Sequence, residues 1–445
     1  MFLRPRAPKT AIAASAILLL AGCSLFDPSE TPERERGEAF EVGLFDEGRV
    51  PRFELSVKEE DWAWLNTSEN ALKEECVPAT LAIDGVEIGL VGVRYKGSSS
   101  LKNCFKEGRV PCPRPSMKIK FDEYRGKTRV DGMTTINLHG LGGNDDSMLR
   151  ERLTYRLFRE MGVAAPRASH AAVSVNGGPF GVYAMVEAVD AAFLENRWGP
   201  GAGEDNLWKE VWPRPYRRDL AAQLENGTVL AETGIKEFAR ALEKAVATGD
   251  GKPVERHVDV EKAMNYLAVD VVSDNIDGYR TFYCKANAAK PEDCSPHNFY
   301  WRQTWPENRL ALIPWDLDAT FLVNPWLTAP EWNDSTVACD APLALEKTVW
   351  HAGCDSYFKA LRTLYPDEWK AALKRLAKGP MSGYLVERWL KDWKKEIEPF
   401  VDEDTLFQRH PKYDKAWLER GYSGLTIAVG RQRQLLQDRL DGKLP

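Results

Sequence analysis

The chain has 445 residues, 43% hydrophobic and 28% charged, enough for a soluble globular body of two lobes. Its net charge of -6 and pI of about 5.8 offer no general attraction for nucleic acid, so no such partner is expected. Zinc chemistry needs C-x2-C clusters or paired His, and neither pattern occurs among the Cys and His residues.

The N-terminus reads as an export signal. Arg4, Arg6 and Lys9 precede an uncharged apolar run over residues 11–20, too short to span a bilayer as a stable helix. The run ends in Leu20-Ala21-Gly22-Cys23, which resembles the lipobox cut by lipoprotein signal peptidase. Residues 1–22 are therefore expected to be removed, leaving Cys23 lipidated and the protein membrane-anchored in the cell envelope. Ser24 at the next position favours the outer membrane if the source has two membranes. Residues 23–40 read as a flexible tether, because the segment after Cys23 is rich in Pro, Ser, Glu and Arg and poor in large apolar residues.

Export makes disulfides plausible. The near pairs are Cys104 with Cys112, Cys284 with Cys294, and Cys339 with Cys354, each worth roughly 2–4 kcal/mol if unstrained. Cys76 is then left over.

From residue 41 to 187 the chain is strand-rich. Residues 80–95 alternate around Asp84-Gly85, a hairpin signal. Met117, Ile119 and Phe121 point to one side of a short strand, Lys118 and Lys120 to the other. Residues 133–138 predict another strand. Ser147 or Asp146 then caps a helix whose apolar face is Leu149, Leu153, Leu157 and Met161. Gly162 and Pro166 stop it. A second hairpin turns at Asn176-Gly177-Gly178. From residue 188 to 445 the pattern is mainly helical, with helices over 235–247, 260–272 and beyond about 356. A third hairpin, residues 298–303 and 309–313, sits at the heart of that half. The fold class is α+β on a two-lobed plan. No later segment is long and apolar enough to cross a membrane.

The chemistry concentrates at the ends of these last elements. Asp274-Asn275-Ile276-Asp277-Gly278-Tyr279 ends a helix, His297-Asn298-Phe299-Tyr300 opens the hairpin, and Ile313-Pro314-Trp315-Asp316-Leu317-Asp318 closes it. Asp and Asn oxygens placed there suit a hard cation such as Mg²⁺. Taken singly, each Asp also suits a turn or a helix cap, and His297 reads as a packing or capping residue rather than a ligand.

These blocks, in order with others, resemble the CotH family, atypical protein kinases named for a spore-coat protein. The others are Arg94-Tyr95-Lys96-Gly97-Ser98-Ser99-Ser100, Lys118-Ile119-Lys120-Phe121, Asp146-Ser147-Met148-Leu149-Arg150-Glu151, Gly181-Val182-Tyr183 with Glu187-Ala188-Val189-Asp190, and Asn206-Leu207-Trp208-Lys209. The resemblance implies an atypical protein-kinase-like fold using ATP with Mg²⁺ or Mn²⁺. It implies Asp277 as the catalytic aspartate, Asp316 as the metal-binding aspartate and Asn298 as a second metal ligand. Lys96, Ser98 and Ser99 would cover the triphosphate, Lys118 and Lys120 would reach phosphates, and Glu151 would pair with a strand lysine. Glu187 would lie near the hinge where adenine binds.

The chain departs from ordinary kinases in having no G-x-G-x-x-G, H-R-D or D-F-G. It departs from the compact family pattern in placing Asn298 far downstream of Asp277. A Cys284–Cys294 link would pinch the intervening loop and leave Asn298 near Asp277. The function expected is phosphorylation of Ser or Thr on secreted or surface proteins. A pseudokinase or surface binding module is the alternative, and metal-assisted phosphoester hydrolysis a third reading.

Overall fold

In the computed structural model, the described residues are 37–97, 99–105, 114–140, 145–213, 220–228, 231–279, 282–284, 294–295, 297–322, 349–350, 355–403 and 415–443. The segment expected to be a signal, most of the expected tether, Cys23, Ser98, Cys112, Cys339 and Cys354 lie outside them.

The architecture is mixed α+β, with a strand-rich part followed by a helical part. Seven strands close into a barrel in the order Arg52–Val57, Val77–Ile83, Val86–Tyr95, Met117–Lys120, Thr135–His139, Gly178–Glu187, Ala168–Val175. Alternation puts Phe53, Leu55, Leu81, Val91, Val93, Met117, Ile119, Ile136, Leu138 and Met185 in one buried cluster. Asp84 and Gly85 (φ 49° and 80°), and Asn176 and Gly177 (φ 51° and 76°), supply the left-handed pairs that two-residue hairpin turns demand. The barrel closes through a parallel pairing of Arg52–Leu55 with Ala172–Val175. Nothing local announces it.

The helix Arg150–Glu160 leaves the barrel and buries Leu153, Leu157 and Phe158. It starts later than expected, and Asp145 rather than Asp146 receives the Arg150 amide, at 2.9 Å. Phe158 meets Tyr266 of the Val260–Val272 helix with ring centroids 4.9 Å apart. Arg152 ties the first helix to the Gly383–Glu403 helix, donating to Glu396 at 2.7 Å while its guanidinium lies 4.5 Å over Trp393.

A second, four-stranded antiparallel sheet has the order Leu224–Asn226, Asn206–Lys209, Phe299–Gln303, Leu310–Pro314. Its last two strands are the expected third hairpin; its first two are additions to the expectation. Helices Ala191–Trp198, Glu232–Thr248, Lys252–Glu255, Ser356–Leu364, Pro366–Lys378 and Lys415–Leu440 also belong to the helical part. No helix among the described residues is long and apolar enough to cross a membrane.

Cys76, Cys104 and Cys294 are half-cystines. Cys76 is therefore not the left-over thiol that near-neighbour pairing implied. Cys284 stands opposite Cys294 in an antiparallel ladder. Opposed residues there have Cα atoms about 4.5–5.5 Å apart, within the span of a disulfide.

Candidate active site

The hairpin between residues 299 and 314 organises the site. Its base is closed by the Trp315 amide donating to the Asn298 carbonyl at 3.1 Å. Asn298 and Asp316 flank it, both with left-handed backbones (φ 61° and 51°). Asn and Asp tolerate that region better than most residues, though at some cost, and such strain concentrates at functional sites. The Asp316 amide donates to the Tyr155 hydroxyl at 3.0 Å, which pins the turn to the Arg150–Glu160 helix.

Asp277 approaches from the other side, a few residues past the Val260–Val272 helix. Asn298 Nδ2 donates to both the carbonyl and Oδ2 of Asp277, each at 2.9 Å. Asn298 is placed in turn by its own amide, which donates to Glu210 Oε1 at 3.2 Å. The next residue of the loop, Gly278, has no room for a side chain: a Cβ there would sit 2.1 Å from Asn275 Nδ2. Asn275 itself donates to Asp270 at 2.9 Å, so this bend is tightly held.

The barrel edge lies against the Trp315–Asp316 turn. Lys96 follows the Val86–Tyr95 strand, and its amide still pairs with Ser116 at 2.9 Å. Its Nζ is 2.6 Å from His139 Nε2 and 5.4 Å from the Trp315 ring centre. His139 Nδ1 meets Glu151 Oε1 and Oε2 at 2.8 and 3.0 Å. Glu151 thus contacts His139 directly, and Lys96 beyond it. Burial lowers the Lys96 pKa, against the pull of Asp316 and Glu151. Burial pushes Glu151 well up, and Asp316 adds to the effect. Asp318 is likewise pushed well up by burial, then by Asp316, Glu151, Asp145 and Asp277.

Lys118 lies close enough to Lys96 and Arg94 to feel their charge; burial first, then those two cations, bring it down to about 8. Lys120 shares its strand face, yet its ammonium is bound to Glu123. Lys209 adds a further cation, 5.9 Å over the Tyr300 ring and near enough to repel Lys96. Glu187 is 1% exposed and engaged by Arg167 and Arg197, so its carboxylate is committed to ion pairs. Ser99 opens a short helix, Ser99–Cys104.

The structure therefore brings together Asp277, Asn298, Asp316, Glu151, Lys96 and Lys118. It ties Lys120 and Glu187 to other partners. His139, Asp318, Lys209 and Glu210 were not singled out from the sequence as site residues. Asp318 had a signal, two positions after Asp316 in the same block; a lone His ending an apolar strand had none.

The donor set suits a hard divalent cation. Asp316 and Asp318 offer carboxylate oxygens, and the two donations by Asn298 Nδ2 leave Oδ1 as that side chain's acceptor. Burial first, then neighbouring carboxylates, disfavour the charged form of Asp318, and a cation would favour it. His139, Glu151 and Asp316 also place ligand atoms within 4.8 Å of one another. Both His139 nitrogens are already engaged, by Lys96 and Glu151, and a hard cation prefers oxygen donors to an imidazole.

The family model described as CotH kinase protein matches residues 93–426, three-quarters of the chain and all the residues of this cleft. The chain belongs to the CotH family. Inner spore coat protein H of Bacillus subtilis (strain 168) is 26% identical over 286 residues, covering 62% of this chain and 70% of that protein. Among solved structures, the chain matches a complex of the Shewanella oneidensis MR-1 toxin–antitoxin proteins HipA and HipB with operator DNA. The identity there is 11% and the TM-score 0.29, over 69% of this chain and 60% of that one. The residues gathered in this CotH-family site are kinase-like in kind, carboxylates together with lysines.

Proposed function

We propose that this CotH-family protein is an ATP-dependent protein kinase with two lobes, the barrel and the helical part, enclosing the nucleotide between them. The observation that carries the reading is the proximity of Asp277–Asn298, Asp316 and Asp318 to Lys96, with Lys118 beside it. Phosphoryl transfer depends mainly on positioning and on neutralising phosphate charge. Lys96 and Lys118 supply positive charge for the phosphates. Asp316, Asp318 and Asn298 Oδ1 would hold Mg²⁺ or Mn²⁺, which supplies further neutralisation when bound. Asp277 orients the acceptor hydroxyl and takes its proton. The hydroxyl oxygen forms the new bond to the γ-phosphorus, the β–γ bridging bond breaks, and ADP leaves with its electron pair.

The acceptor class proposed is Ser or Thr of exported or surface proteins. That choice follows from the signal-like residues 1–22 and the lipobox at Cys23, which would anchor the enzyme in the envelope beside such proteins. The test is incubation of the purified chain with γ-labelled ATP, Mg²⁺ or Mn²⁺, and envelope proteins. Label on Ser or Thr of protein is expected. Label released only as free phosphate would favour hydrolysis, and nucleotide binding without label would leave a binding module.

A further inference from the structure

In this cleft Lys96 and Glu151 interact through an intermediary. An ammonium has no acceptor, so His139 Nε2, 2.6 Å from Lys96 Nζ, must accept. A ring nitrogen that accepts carries no proton, and the imidazole's single proton therefore sits on Nδ1. Nδ1 faces Glu151 at 2.8 and 3.0 Å, where it donates. The two bonds demand opposite roles of the two ring nitrogens, and only the neutral Nδ1–H form satisfies both. Burial at 7% exposure, with Lys96 beside it, disfavours the charged ring in the same sense.

We propose that His139 is a positioning residue, a neutral Nδ1–H imidazole that transmits the hold of Glu151 to Lys96 and fixes the ammonium against the Trp315–Asp316 turn. The ring also packs edge-on to Trp315, with centroids 5.8 Å apart at 89°. Lys96 lies over that same indole, and the following residue, Asp316, is anchored by Tyr155. His139 thus couples three elements: the barrel edge, the Arg150–Glu160 helix and the cation-binding turn. Its effect on nucleotide binding rests on the kinase reading; its tautomer does not.

Two measurements on the full chain separate those parts. The first is the ¹⁵N spectrum of the histidines, only six in number, with His139 assigned by its loss in His139→Gln. A neutral Nδ1–H signature is expected. An imidazolium or an Nε2–H ring would overturn the relay whatever the activity.

The second is nucleotide affinity and turnover in His139→Leu, His139→Gln and Glu151→Gln. Leu fills space without hydrogen bonds; the Gln amide offers a donor and an acceptor. His139→Leu should raise the KM for Mg·ATP about ten- to hundredfold, the scale of one lost bond to a charged group, with a smaller change in kcat. His139→Gln should restore most of that loss. Glu151→Gln should add little in the His139→Leu background, since both act on Lys96 through one chain. Additive losses, or Gln as damaging as Leu, would overturn the proposal. So would Mn²⁺ binding without nucleotide that disappears in His139→Leu, because the ring would then be a metal ligand. If the tautomer is as expected but the wild-type protein binds no Mg·ATP, the kinase reading fails and the relay stands as geometry alone.

Discussion

Asn298 Nδ2 lies 2.9 Å from both the backbone oxygen and the Oδ2 of Asp277, although 21 residues separate them in the chain. The amide holds the carboxylate through Oδ2 and the backbone oxygen together. Asn298→Asp tests this directly. It keeps an oxygen for a cation, removes the donor and sets a second carboxylate beside Asp277. Turnover should fall about 10²-fold, the usual penalty for misplacing a reacting group, while Mg²⁺-dependent nucleotide binding is kept. Equal loss of binding and turnover in titration calorimetry and transfer assays would show that the donor does not orient Asp277.

Lys118 gives a prediction with a sign. Burial, with Arg94 and Lys96 nearby, lowers its pKa from 10.5 to about 8. The folded value lies below the unfolded one, so folding disfavours the charged form. That penalty is full below pH 8 and fades as pH rises toward the unfolded value. Lys118→Met should therefore stabilise the ligand-free protein at pH 7, by roughly 1–3 kcal/mol, and the gain should shrink above pH 8. The same variant should bind Mg·ATP less tightly. For the wild type, nucleotide binding above pH 8 should take up a proton, seen as a buffer-dependent heat in calorimetry. A variant less stable at pH 7 would remove the lysine from this role.

Much of the layout was legible because it is local. Asp84-Gly85 and Asn176-Gly177 mark their turns through the left-handed backbone they adopt. Lys118 and Lys120 share a strand face by simple alternation. Asn298 and Asp316 come together because they are the two ends of one hairpin. What failed to show was non-local. Arg52–Leu55 pairs in parallel with Ala172–Val175, closing a barrel from segments about 120 residues apart, with no local pattern to mark it. Alternation cannot reveal that Glu123 claims Lys120. Nor can it distinguish His139 from any other residue ending an apolar strand.

Glu187 separates a structural role from a nucleotide role. Its carboxylate accepts from the Arg167 amide and guanidinium, each at 3.0 Å, and also from Arg197. Removing the charge would strand two cations, both partly open to water (30% and 19% exposed side chains), which softens the penalty. Glu187→Gln should destabilise by roughly 2–3 kcal/mol, below the range for fully buried pairs. Its affinity for Mg·ATP, measured well below the melting temperature, should be unchanged. Unaltered stability with weakened ATP binding would place the carboxylate at the nucleotide instead.

The sharpest division of labour lies between Asp316 and Asp277. Asp316 sits on the turn pinned by Tyr155, within the field of Glu151, Asp318 and Lys96. Asp277 is held by the Asn298 clamp at the other end of the hairpin base. In the kinase reading the first binds the cation that accompanies ATP, and the second acts on the acceptor. Asp316→Asn should thus weaken Mg²⁺-dependent ATP binding and abolish transfer. Asp277→Asn should cut transfer by about 10³-fold or more, as when a group acting chiefly in the transition state is lost, with most Mg·ATP affinity kept. Both substitutions hold side-chain size nearly constant, and circular dichroism would confirm that each variant folds. Calorimetric titration of Mg·ATP beside a γ-phosphate transfer assay on the same preparations reads the split. If Asp277→Asn lost nucleotide affinity as severely as Asp316→Asn, the two roles would not be separate. If neither variant altered transfer, the reaction would not run through this cleft.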